Sequence, residues 1–361
     1  MASEDIGTDD TLLAMPMHQP PAPAITERPA MMFTAPSIPH TTRRRSRPWW
    51  IVGLVGAIVV GLAVAIAGAT YAMRASARIA DESASADSPH ALAPATPTPT
   101  PPKGPPPVAH SPEELVALEE AALARADTAA LAALLTTDAF AIGRDADQLA
   151  TGPAGVADAL SSSLGAGRDR LARRSLHIGR DGDDLAWLAT ELDVAATHFA
   201  ATQLAVRDPK TGTWRAAAWH LAERVPNRRA YALAKDGTLP APIAITDRGD
   251  RPLRVAFQAA FASREQLIDA FADRDDTVDL GSAPGERIVG GPAIKRAFGK
   301  LTAELAIHDG VATGRVTARA GWAAANVDYV LRDGTAQTYR VLAILVDDKV
   351  VLAHWSNGGP L

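Results

Sequence analysis

The chain contains no cysteine, which excludes disulfides, thiolate metal sites and cysteine nucleophiles. It also lacks basic blocks over most of its length. From Ser111 onward 28 Lys and Arg are scattered among 33 Asp and Glu, leaving no electrostatic footprint for nucleic acid. No HExxH, GxSxG or GxxxxGK[ST] motif occurs, and the glycines between Gly285 and Gly291 come without the lysine a phosphate loop needs. Nothing in the sequence calls for a metal or a cofactor.

One uncharged run divides the chain. Trp49 to Met73, WWIVGLVGAIVVGLAVAIAGATYAM, holds 25 residues, ten of them Ile, Leu or Val. As a helix it is about 37 Å long, enough to cross a hydrocarbon core of about 30 Å with some tilt. Trp49, Trp50 and Tyr71 fall where interfacial aromatics belong. Arg43, Arg44, Arg45 and Arg47 precede it, whereas Asp81, Glu82 and Asp87 dilute Arg74 and Arg78 after it, so the N-terminus is expected in the cytoplasm. The expected location is the cell inner membrane, single-pass, with the C-terminal domains in the periplasm or outside. Small residues at Gly53, Ala57, Gly61, Ala65 and Ala69 would let two such helices approach closely, although an Ala-rich and Gly-rich chain also produces such ladders by chance.

Residues 1–48 read as a disordered cytoplasmic tail, too poor in hydrophobic periodicity to offset the entropy of ordering. Residues 74–110 read as an Ala/Ser/Pro-rich spacer ending in PATPTPTPPKGPPP, which favours polyproline II at about 3.1 Å per residue. Ser111, with Pro112 at N1 and Glu114 at N3, opens a helical pattern as a capping box. Asp127 is placed to cap a second helix to Leu135; Ala139 to Gly143 reads as a strand, and Gly152-Pro153-Ala154 starts another helix. Four strand patterns follow: Leu171 to Ile178, Leu185 to Ala195, Phe199 to Val206 and Trp214 to Ala222. Asp181-Gly182-Asp183 and Asp208-Pro209-Lys210-Thr211-Gly212 punctuate them.

The second half repeats this order of events. AFAIG at 139–143 matches TVDLG at 277–281, and Gly152-Pro153-Ala154 matches Gly291-Pro292-Ala293. Trp187 and Asp193 match Trp322 and Asp328, and His220 matches His354. Residues 111–224 are therefore the first folded copy, 225–250 a linker broken by Pro226, Pro240, Pro242 and Gly249, and 251–361 the second copy, opened by Ser263 and Gln266 as a further capping box.

The segments DLGSAPGERIVGGPAIKRAF (279–298), RVLAILVDD (340–348) and VVLAHWSNG (351–359) resemble the strand–loop–helix and last two strands of the SnoaL-like branch of the nuclear transport factor 2 superfamily. The resemblance covers about 115 residues in each copy; the first copy departs more, closing with AAAWHLAER. It implies an α+β fold: two tandem cone-like half-barrels, each with helices closing one face of a curved antiparallel sheet into a pocket. The other face often pairs with a second subunit in that superfamily. Its members include isomerases, cyclases, dehydratases and binding subunits, so the resemblance concerns fold and not reaction. Independently, Val341 to Val346 (VLAILV) is continuously apolar, as in a strand covered on both sides. The two copies are accordingly expected to pack sheet against sheet as an intrachain pseudo-dimer.

Asp328 and His354 are the candidates for acid/base work, since a histidine poised by a carboxylate is a common proton-transfer device. The same two residues also fit a rim carboxylate and a structural histidine, and Asp193 with His220 repeats the pair. Whether their faces coincide is not legible from strand alternation. A ligand site in the second copy would draw on Asn326, Asp328, Tyr339, Arg340, His354 and Trp355, a mixture of aromatic surface and a few polar groups. Corresponding strands of the first copy offer fewer such groups, which makes it the structural partner. Two functions follow. One is a membrane-tethered envelope module binding a small hydrophobic molecule or an envelope protein without catalysis. The other is a SnoaL-type isomerase, cyclase or lyase using the Asp/His pair on a small hydrophobic molecule. The spacer and tail favour the first.

The arginine cluster before Trp49 fixes one test. A reporter active only in the periplasm should work when fused after Leu361 and fail when fused before Arg43. The opposite pattern would reverse the topology.

Overall fold

A computed structural model describes residues 105–165 and 167–358; the tail, the apolar run 49–73 and most of the spacer lie outside them. No helix among the described residues is long and apolar enough to cross a membrane.

The first copy begins with α1 (Pro112–Arg125). The Ser111 hydroxyl accepts from the Glu114 N–H at 3.1 Å, and the Glu114 carboxylate accepts from the His110 N–H at 2.7 Å. The capping carboxylate thus reaches one residue further back than in the usual reciprocal box. Asp127 caps α2 (Thr128–Ala133), which ends before Leu135 because the chain there already pairs as β1 (Leu135–Ile142). Then come β2 (Leu149–Thr151), α3 (Pro153–Leu164) and four long strands: β3 (Leu171–Asp181), β4 (Leu185–Val194), β5 (Thr197–Arg207) and β6 (Trp214–Glu223). They form a six-stranded sheet in the order β2-β1-β6-β5-β4-β3, antiparallel except where β1 runs parallel to β6.

The second copy repeats the plan with α5 (Arg251–Ala260), α6 (Arg264–Ala270), β7 (Val278–Leu280), β8 (Arg287–Val289), α7 (Gly291–Phe298) and strands β9 (Glu304–Arg315), β10 (Ala320–Val330), β11 (Ala336–Val346) and β12 (Lys349–Ser356). Its sheet has the order β8-β7-β12-β11-β10-β9, with β7 parallel to β12. Both copies are thus α+β, in tandem, each built on a mixed six-stranded sheet. The linker is more regular than its prolines suggest. It contains α4 (Asn227–Lys235), and its end covers the β9 edge: the Gly310 N–H donates to the Ile245 carbonyl at 2.7 Å and Arg248 bridges to Ala312. An edge strand left open would present unpaired backbone groups.

Alternation along β11 explains its unbroken apolar run. Val341, Ala343 and Leu345 face the helices with Phe257, Phe261 and Ile294. Leu342, Ile344 and Val346 face the other way, into one core shared with Phe140, Trp187, Ala200 and Leu204 of the first copy. The two sheets therefore pack face to face, and a period-2 strand buried on both sides has no polar face to show. Each sheet adds a tryptophan to this layer, lying across a glycine on its neighbouring strand. Trp187 sits opposite Gly179, and Trp322 opposite Gly314. A Cβ on either glycine would fall within 2.0 or 2.4 Å of the indole, closer than any side chain tolerates. Trp322 stacks on Phe140 of the first copy at 4.3 Å between centroids, and the Arg274 guanidinium lies 4.8 Å over Trp187.

Leu342 is fully buried in the shared layer. Leu342→Ala should destabilise the protein by about 2–5 kcal/mol, read from the denaturant midpoint at unchanged m-value; a change below about 1 kcal/mol would show that the layer is loosely packed.

Candidate functional site

The layer between the sheets holds three of the residues that the sequence nominates for a ligand site. His354 is fully buried and lies against its counterpart His220, the rings tilted by 35° with centroids 4.0 Å apart. Its Nδ1 lies 3.1 Å from the Thr202 hydroxyl of the first copy, and His220 Nε2 lies 2.8 Å from the Ser356 hydroxyl of the second. Burial holds both imidazoles well below their ordinary pKa, and the positive charges of Arg224 and Arg340 push the same way. Two neutral rings can share this space; two imidazolium ions cannot.

Arg340 is buried too, and its guanidinium donates to the Gly143 and Asp145 carbonyls in the β1–β2 hairpin of the first copy. Burial draws its pKa down to about 10. Arg224 returns the gesture from the end of β6, donating through Nε to the Ala283 carbonyl of the β7–β8 hairpin at 2.8 Å. Asn326 Nδ2 donates to the Ile243 carbonyl at 2.9 Å and to Asp309 Oδ2 at 2.7 Å, fastening the linker to the second sheet.

Asp328 does not meet His354. It accepts from the Thr338 hydroxyl at 2.6 Å and pairs with His308 Nδ1 at 2.9 Å, at the exposed end of the sheet. On β11, Asp328 lies opposite Thr338 and His354 opposite Leu342, a separation of about 13 Å along the strand. The Asp328/His354 proton-transfer pair is therefore corrected: the matching residues are distributed by cross-strand register, which sequence spacing does not encode.

Tyr339 and Trp355 stand on the opposite face, inside the cone of the second copy. The Trp355 Nε1–H donates to Asp279 Oδ1 at 2.9 Å, and Asp279, on β7, is 5% exposed. Burial raises the Asp279 carboxyl to about 7, partly opposed by the Trp355 hydrogen bond. Tyr339 packs edge-on against Trp355 (6.2 Å) and Tyr329 (5.9 Å), and Ser282 stands beside its hydroxyl. Tyr329 and Tyr339 are half-buried, so the cluster reaches the surface, while Phe257, Phe261, Phe271 and Phe298 close its deep end. The sequence reading missed Asp279. Its signal was an acid in the middle of a strand, TVDLG, where the first copy has alanine in AFAIG.

The first cone is decorated differently. Cross-strand register equates Gln203 with Ala343 and Trp219 with Ala353, because both pairs lie one step from the matched histidines. Likewise Thr190 matches Ala325, and Ala141 matches Asp279. Glu119 of α1 points at this group, fully buried, with its pKa raised well above the ordinary carboxylate range by burial.

No family model matches the sequence, and no curated protein matches it. Solved structures similar to it include a protein of unknown function from Pectobacterium atrosepticum, at 25% identity and a TM-score of 0.26 over 30% of this chain and 83% of that one. A protein assigned as a ketosteroid isomerase from Parabacteroides distasonis matches at 20% and 0.27 over 32% and 89%. A calcium/calmodulin-dependent protein kinase type II association domain assigned in Thiobacillus denitrificans matches at 23% and 0.28 over 32% and 98%. Others are described as NTF2-like or cystatin-like. Each match is about as long as one copy, and the likeness is one of fold.

The buried histidines set a pH dependence. Their folded pKa lies below the ordinary 6.5, so below that pH the unfolded chain binds more protons than the folded one. The stability they allow is complete above about pH 6.5 and is lost as the pH falls. The urea midpoint should drop between about pH 7.5 and 5, and less steeply in His354→Phe. An identical slope in the variant would show that other groups govern the acid limb.

Proposed function

We propose that this chain is a membrane-tethered binding protein whose second cone takes a small, largely apolar molecule. The observation that carries this is the convergence, in one cone, of the buried Asp279 carboxyl with the Trp355, Tyr339 and Tyr329 rings, two of which reach the surface. Aromatic walls with a few placed polar groups are what a small-molecule site requires. Asn326, Arg340 and His354, nominated with them from sequence, hold the two copies and the linker together and leave the cone to Tyr339 and Trp355. The uncharged run 49–73, the arginines before it and the proline-rich spacer support the tether.

A second reading has one observation in its favour. A carboxyl titrating near 7 in a cone lined by tyrosine hydroxyls suits proton transfer at neutral pH, which keeps an isomerase- or lyase-type reaction in view with Asp279 as the base in place of the Asp328/His354 pair.

The test is mass analysis of small molecules released from the purified full-length protein. A reproducible molecule should be retained by the wild type and by Asp328→Asn, and lost at least tenfold in Tyr339→Ala, about 1.4 kcal/mol. Equal retention by Tyr339→Ala, or nothing bound to the wild type, would remove the site. An Asp279→Asn variant that keeps the molecule but stops its conversion would favour the enzymatic reading.

A further inference from the structure

The two copies differ in how the outer edge of the sheet is closed. β3 and β9 are matched edge strands, since Gly179 lies opposite Trp187 and Gly314 opposite Trp322. By that match Ile178 corresponds to Thr313 and Leu176 to Val311. On β9 the linker takes up the outward backbone groups. The Thr313 N–H donates to the Arg248 carbonyl at 3.1 Å, the Arg248 N–H donates to the Val311 carbonyl at 3.2 Å, and the Val311 N–H donates to the Asp247 carboxylate at 2.9 Å. Arg248 thus makes a parallel bridge at Ala312. On β3 the corresponding groups also point outward. Asp276 and Arg274 of the second copy bond the Arg180 N–H and carbonyl on the side away from β4, and the register runs without a shift from Ser175 to Asp181. Residues two apart on such a strand direct their backbone groups the same way, so Leu176 and Ile178 face out with Arg180. Among the described residues no backbone segment pairs with them there.

The reason lies in the segment ahead of each copy's first helix. Arg248 stands two residues before the α5 cap Asp250, and Ala109 two before the α1 cap Ser111. Ala109 turns instead to β6, where its carbonyl accepts from the Trp214 N–H at 2.8 Å. Pro105, Pro106 and Pro107 before it have no N–H to give a ladder. What fits the edge follows from its charge. Residues 168–180 hold five arginines, at 168, 170, 173, 174 and 180, and one acid, Asp169. Arg173 and Arg174 are loosely paired, 3.6 Å from Glu120 and 3.7 Å from Asp193, with side chains 33% and 56% exposed. Surface pairs of that kind contribute little and exchange partners readily. A second copy of the edge would set arginine against arginine, which is unfavourable across a strand pair. An acidic strand is attracted, and Asp247 shows an acid seated on the matched edge.

We propose that the outer edge of β3 docks an extended, acidic segment of another protein, which adds to the first sheet as a strand parallel to β3. Its backbone pairs with Leu176 and Ile178 as Arg248 pairs with Val311 and Thr313, and its carboxylates meet Arg173 and Arg174. In strand addition the main-chain bonds supply affinity and the side chains selectivity. The surface is separate from the second cone and does not depend on a ligand there.

The probe is a short labelled peptide of alternating valine and aspartate, added to the full-length protein and followed by fluorescence anisotropy. Two controls accompany it: the same peptide with lysine for aspartate, and the same peptide with its backbone amides N-methylated, which cannot pair along an edge. The aspartate peptide should bind about tenfold more tightly than either control, weaken as salt is raised, and slow hydrogen exchange at the Leu176 and Ile178 amides. Arg173→Glu combined with Arg174→Glu should weaken it about tenfold while remaining folded by circular dichroism. Tyr339→Ala, in the second cone, should leave it unchanged, so that failure of the second-cone reading and failure of this one are distinguishable. A control peptide that binds equally well, protection that falls elsewhere than on β3, or no binding by any of the three would each overturn the proposal. So would slow exchange at both amides in the protein alone, which gives the edge to a second copy if it depends on concentration and to another stretch of this chain if it does not.

Discussion

The constraint on which the rest depends is that each sheet is covered twice. Helices close one face, and the other copy's sheet closes the other through the shared layer of Phe140, Trp187, Leu204, Trp322, Leu342 and Ile344. A strand in that position has no solvent face, so any polar side chain on it must find its partner inside the protein. This decides the meaning of the histidines. His220 and His354 lie ring against tilted ring in the layer, each bonded to a hydroxyl group from the opposite copy, and they act there as uncharged hydrogen-bonding rings. A histidine on a doubly covered strand is thereby removed from solvent, and from any substrate that would have to come from it.

The same constraint explains the two buried arginines. A guanidinium taken out of water needs oxygen acceptors, and each arginine finds backbone carbonyls in the short hairpin of the other copy: Arg340 at Gly143 and Asp145, Arg224 at Ala283. The carbonyls around Arg340 bring partial charge but no carboxylate whose protonation would break the contact, whereas Arg224 also pairs with Glu191 at 3.4 Å. The Arg340 lock should therefore hold across the pH range in which the histidines titrate, and acid would act on the centre of the layer before that corner.

Much of the fold was legible because its signals are periodic. The alternation of Leu171 to Ala222, the recurrence of Trp–Asp–His at a near-constant offset and the unbroken run VLAILV each follow from where a side chain must point. The site was legible only in part, and the failures have physical causes. His354 and Trp355 are adjacent on one strand, as are Tyr339 and Arg340, so alternation alone puts the members of each pair on opposite faces; grouping them by composition overrode that geometry. Asp328 and His354 were joined by their recurrence in both copies, but recurrence in a repeat marks a shared framework as readily as a shared chemistry. Glu119 was readable as the one charged position in the apolar stripe of α1, and Asp279 as the acid that interrupts an apolar strand. Both are visible to a helical or strand projection and invisible to a search for motifs.

A tandem chain can do what a symmetric dimer of one sequence cannot. In a homodimer every substitution in one cone is made in the other, whereas here the two cones differ at positions matched by register. The first has Thr190, Gln203 and Trp219 where the second has three alanines, and the second has Asp279 and Trp355 where the first has Ala141 and Leu221. These differences lie on the helix-facing side of the sheets; the facing side differs too, with Thr202 matching Leu342 and Ala200 matching Arg340, but there His220 and His354 meet as a matched pair. Substitutions on the facing side must satisfy both copies at once, since each side chain there has partners in the other. Those inside a cone meet only their own copy's helices. Packing the sheets together thus makes the facing sides complementary, with Thr202 against His354 and Ser356 against His220, and leaves the two interiors free to become chemically unlike.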